Sequence, residues 1–119
     1  MAVSIKDLID RKEQIATRKK RLFDIETSAG MITVKQPTRL LAMEIADMED
    51  GDAYVILECT VEPNLKDKSL QDAYGCLEPT DIANKIFDAG EVNAIARKIM
   101  ECAGYRKDVT AVVHETVKN

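Results

Sequence analysis

From Glu78 to Gly104, the run EPTDIANKIFDAGEVNAIARKIMECAG carries two helical periodicities and one break. Ile82, Ile86 and Phe87 recur at helical spacing after Pro79-Thr80-Asp81. There Thr80 is placed to cap free N–H groups, and Asp81 suits the positive end of a helix. Asp88-Ala89-Gly90 interrupts the run, and a second helix is expected from near Glu91. Val92, Ile95, Ala96, Ile99 and Ala103 form its stripe, with Gly104 where a left-handed C-terminal cap belongs. Two short amphipathic helices so closely linked bury little between them. Their stripes require further elements, and the pair is expected to floor a single core.

The preceding chain supplies those elements. Ser4 and Asp7 form a capping-box-like pair before Ile5, Leu8, Ile9 and Ile15, a thin stripe on a helix of about four turns. Arg18-Lys19-Lys20-Arg21 complements the negative end of that helix dipole. The period then changes. Phe23, Ile25 and Thr27 alternate with acids, and Ile32 and Val34 alternate with Thr33 and Lys35, which predicts a β-hairpin. An even-numbered loop, Ala29-Gly30, sets Ile25 opposite Val34 and Thr27 opposite Ile32 on one apolar face. Thr38 caps a helix carrying Leu41, Ile45 and Met48. Ala53 to Val61 reads either as a strand, by its β-branched content, or as a helix; a cap at Asp52 and the breaker Pro63 favour the helix. Asp67 to Tyr74 reads as a short helix closed by Gly75. The expected fold is therefore α+β and predominantly helical: an N-terminal helix, one hairpin, then a compact bundle of short helices. Residues 1–105 form one domain. Residues 106–119 form a tail in which Val109, Val112, Val113 and Val117 allow either a last amphipathic helix or a frayed end.

Composition narrows the chemistry. Aromatics make up 4% of the 119 residues and Trp is absent, so the core must come from Ile, Leu, Val, Met and Ala, which favours helices over a sandwich. The net charge of −4 speaks against general nucleic-acid binding, but it is unevenly placed. Residues 1–21 hold seven Lys/Arg against three Asp/Glu, a net of +4; the rest hold ten against eighteen, a net of −8. Cys59, Cys76 and Cys102 are odd in number and widely spaced, which suits buried free thiols in a reducing cytoplasm. His114 is the single histidine and is expected to be solvated. No nucleophile, zinc, Walker or dinucleotide signature is present, and Glu49-Asp50-Gly51-Asp52 lacks the alternating ligands of a calcium loop. No catalytic, metal-binding or cofactor-binding residue is assigned. No apolar run approaches the length of a membrane span, so a soluble, non-exported protein is expected.

Three blocks in order, VEPNLKD, LQDAYG and EPTDI…IF..GEV…I…AGY, resemble the XkdN-like phage tail assembly chaperones, and the likeness covers residues 3 to 105. The resemblance implies a non-enzymatic protein of a phage, prophage or phage-tail-like particle. It would act in the host bacterial cytoplasm and be absent from the mature particle. Its implied partners are the tape measure protein, which it keeps soluble, and the tail tube protein, which it helps recruit; self-association is left open. The codons of Val117-Lys118-Asn119 are compatible with a slippery GTA AAA AAC run, so a frameshifted longer form belongs to the same expectation.

For the contact surface, the loop with Pro63, Asn64 and Leu65 and the valines Val109, Val112 and Val113 are the candidates, since both stretches are expected to expose apolar groups. Two other classes compete. A small nucleic-acid-binding or regulatory protein would use Arg11, Lys12 and Arg18 to Arg21, and its affinity would fall steeply with salt. A cysteine-dependent enzyme would need a perturbed thiol in a cleft.

Overall fold

The computed structural model describes residues 1–114; Val117 of the expected tail stripe and the Val117-Lys118-Asn119 codon run lie outside the described residues. In chain order the elements are α1 (Ile5–Asp10), α2 (Lys12–Lys19), β1 (Leu22–Thr27), β2 (Gly30–Lys35) and α3 (Arg39–Ala46). They continue with α4 (Gly51–Cys59), β3 (Thr60–Glu62), α5 (Lys68–Ala73), α6 (Asp81–Ile86) and α7 (Ala89–Cys102). Among the described residues, seven helices and one antiparallel sheet of order β1-β2-β3 make an α+β fold that is mostly helical, as the spacing predicts.

The core is built around α4. Ala53, Val55, Ile56, Leu57 and Cys59 are buried on it, so this helix is apolar nearly all round. Such a helix must be enclosed. α7 packs along it with Val92, Ile95, Ala96 and Ile99, and α6 adds Ile82 and Ala83. The sheet offers Phe23, Ile25, Ile32 and Val34 to the same cluster. α3 closes the corner where Gly51 opens α4. A Cβ at Gly51 would stand 2.8 Å from the Ile45 carbonyl oxygen, so only glycine permits this approach of α3 to α4.

Several local expectations shift. The hairpin does have a two-residue loop and one apolar face, but the loop is Ser28-Ala29; Ile25 pairs with Ile32 and Phe23 with Val34. Gly30 sits at φ +120 as the first residue of β2, where another side chain would be strained. The Ala53–Val61 segment is helix through Cys59, then turns into β3, which pairs with β2 beside a register irregularity at Thr33/Val34. The cap of α4 is Asp50, with Asp52 in the first turn. Asp88 is the N-cap of α7, so Gly90 lies inside the helix and the break from α6 is shorter than expected. The Thr80 side chain makes no cap bond, and Met48 falls beyond the end of α3. The N-terminal helix is divided at Arg11, whose ψ of 11° leaves the helical ladder. Among the described residues none of its stripe is fully buried, and helices this short hold poorly alone. Residues 106–114 contain no helix or strand.

Candidate functional site

The block VEPNLKD is a scaffold. Asn64 Oδ1 accepts from the Lys66 N–H at 3.1 Å, and the Asn64 carbonyl accepts from the Asp67 N–H at 3.1 Å, which closes a turn. Leu65, 1% exposed, drops from that turn into the core. Asp67 then caps α5: its Oδ1 accepts from the Ser69 hydroxyl at 2.6 Å and the Leu70 N–H at 3.0 Å. Those two bonds hold its carboxyl below the usual range. Gln71 Nε2 donates to the Leu65 carbonyl at 2.8 Å and the Pro79 carbonyl at 3.0 Å, tying α5 to the chain on both sides.

The return from α5 presents an apolar side chain. Gly75, at φ +66, reverses the chain, as a glycine after a helix commonly does. Asp81 Oδ2 accepts from the N–H groups of Leu77 and Glu78, both at 3.0 Å, and so fixes the backbone of this turn. Leu77 is nonetheless 95% exposed. A single exposed apolar residue is ordinary by itself; Leu77, however, lines a groove of about 890 Å³.

That groove runs between α4, α5 and the turn, lined by Met48, Tyr54, Leu57, Cys76, Leu77 and Pro79. Its rim is charged. Lys66 pairs with Glu58 at 2.9 Å and Lys68 with Asp72 at 3.3 Å. The Glu58 carboxylate, partial loss of water and the Glu44 carboxylate all raise the Tyr54 hydroxyl pKa, so Tyr54 stays neutral. The trough is thus apolar along its length and carries ion pairs at its edge. Burial pushes the Cys59 thiol up to about 11, and burial followed by the Glu101 charge raises Cys102, which makes these two poor nucleophiles. Among the described residues no cluster of three or more His, Cys, Asp or Glu is placed to hold a metal, and no helix is long and apolar enough to cross a membrane.

The residues singled out from sequence separate here. Pro63 and Asn64 are exposed, but Leu65 is core, so the expectation of an exposed Leu65 is corrected: the turn that Asn64 closes points it inward. Val109, Val112 and Val113 are 91%, 85% and 89% exposed, and none lines the groove. Sequence reasoning missed Leu77 and Tyr54. Leu77 carried no signal, since Leu70, Ala73 and Tyr74 stand at helical spacing before it and only the turn at Gly75 takes it out of that stripe.

A family model described as the phage XkdN-like tail assembly chaperone protein, TAC, matches residues 3–118, running through the tail and past residue 105. No curated protein and no solved structure matches the chain.

Proposed function

Because the chain belongs to the phage XkdN-like tail assembly chaperone family, we propose that it holds an amphipathic helix of the tape measure protein in the groove between α4 and α5. The observation that carries this reading is Leu77, fully presented yet fixed by Asp81 at the mouth of an apolar trough. Helices dock in such grooves through apolar anchors one or two turns apart, while the rim selects register by charge. Covering the long apolar face of the tape measure protein keeps it soluble in the host cytoplasm. An open groove with few anchors also lets go readily, as a factor absent from the finished tail must when tube subunits polymerise around the tape measure.

The test is co-expression with the tape measure protein of the same gene cluster, followed by a solubility assay and pull-down. Wild-type chain keeps the tape measure protein in the soluble fraction and co-purifies with it. Leu77→Asp abolishes both effects while its own circular dichroism is unchanged. A tape measure protein that stays insoluble beside folded wild-type chain rejects the reading; binding that survives Leu77→Asp rejects the groove.

A further inference from the structure

We propose that the apolar face of α1 docks on the outer face of α3 in a second copy of this chain. α1 buries no side chain on its own body: Ile5 is 78%, Leu8 47% and Ile9 65% exposed. Together with Lys12 these residues follow the i, i+3, i+4, i+7 spacing that places side chains on one helix face. α3 shows the complementary arrangement. Its inner side packs Leu41 and Ile45 against the core, while Leu40 is 67% and Met43 62% exposed. Leu40, Met43, Glu44 and Asp47 repeat the same spacing, with Asp47 at the position where the arm has Lys12 and a second acid, Glu44, one turn before it.

Charge selects the occupant. Among the described residues, Arg11, Lys12, Arg18 and Arg21 make no ion pair, and neither do Glu44, Asp47, Glu49 and Asp50. α1 itself holds Lys6 paired with Asp10, and Asp7. The positive charge of the contact is Arg11 and Lys12 at its C-terminal end, which face Glu44, Asp47, Glu49 and Asp50 at the end of α3 in the partner copy, so each copy carries both halves of a complementary contact. The arm is tied to its own body by a hydrogen bond from Gln36 Nε2 to the Arg18 carbonyl at 2.7 Å, at the end far from α1. Two copies exchanging arms reciprocally satisfy both faces and close with two-fold symmetry; one-way docking would grow chains instead.

Sedimentation velocity on the full chain, over a concentration series at low and high salt, decides this. The expected species at low salt is a dimer that dissociates as salt rises. Arg11→Glu with Lys12→Glu leaves a folded monomer, and so does Glu44→Lys with Asp47→Lys. Mixing the two variants in equal amounts restores the dimer, because each arm then meets an α3 face of opposite charge. Should the α3 variant lose its fold by circular dichroism, the arm variant and Leu8→Asp carry the test. A wild-type monomer throughout overturns the proposal, including one whose arm amides are protected by folding onto its own body. A dimer indifferent to the arm substitutions overturns it, as do folded variants that stay monomeric when mixed. Arm-dependent binding of a DNA oligonucleotide by a monomeric wild type overturns it in favour of a nucleic-acid arm.

Discussion

α1–α2 and α7 are written in the same pattern and meet opposite fates. Both carry apolar residues at helical spacing, but α7 buries Val92, Ile95, Ala96 and Ile99, whereas α1 and α2 bury nothing. α7 is 14 residues long and unbroken; the arm is divided at Arg11. An apolar stripe predicts that a helix has an inner side. It does not say whether that side faces the chain's own core or another molecule. What separates the two regions is the neighbours: α7 lies between α4 and the hairpin, and its Glu91 Oε2 and Oε1 accept from the Ser28 N–H at 2.8 Å and the Ser28 hydroxyl at 2.5 Å.

Substitutions sharpen that contrast. Ile99→Ala or Leu65→Ala, each removing a fully buried side chain, is expected to cost about 2–5 kcal/mol in urea unfolding. The matching change Ile9→Ala in the arm, measured at the high salt that dissociates the proposed dimer, should stay within about 0.5 kcal/mol; a loss near that of Ile99→Ala there would break the distinction between arm and body. Next comes Gly51→Ala, which drives a Cβ toward the Ile45 carbonyl at 2.8 Å and should lower stability by about 1–3 kcal/mol, read as a reduced melting temperature. Thr38→Ala removes the acceptor for the Leu41 N–H and should cost about 1 kcal/mol. Ser4→Ala removes an equivalent bond from α1, yet should leave the global unfolding midpoint unchanged. Smallest is a pH effect. The Ser28 hydroxyl and N–H hold the Glu91 carboxyl below its ordinary range, so its contribution is present above that range and fades as pH falls through the lowered value. Glu91→Gln should flatten the acid limb of the stability curve while leaving the arm's helicity as it was.

The two regions also differ in how far they were legible. In the body, signals set within one turn came through: the cap at Thr38, the short helix beginning at Asp67, and Gly75 and Gly104 at positive φ after their helices. The hairpin shows where local signals stop. Alternation establishes which residues share a face, and moving the register by two residues preserves that face. The contest between Ala29-Gly30 and Ser28-Ala29 as the loop was therefore invisible to the pattern. It is settled where Glu91, 63 residues further along, bonds Ser28. α4 posed a related difficulty. A continuous apolar run suits a buried strand and a buried helix equally, and this segment is helix until Cys59 and strand from Thr60. Of the candidate contact residues, the exposure of Pro63, Asn64 and the tail valines was legible from the loop and tail positions they occupy. Leu65 was not, because its burial depends on which way the Asn64 turn points it.

By itself the sequence determined the α+β class, the sites of most helix ends, the single apolar face of the hairpin and membership of the chaperone family, since each rests on residue type and near-neighbour spacing. Tertiary structure alone decided the hairpin register, the third strand, the burial of Leu65 and the groove beneath Leu77. Each of those depends on contacts between residues far apart in the chain, where one side chain's environment is set by the packing of several elements at once.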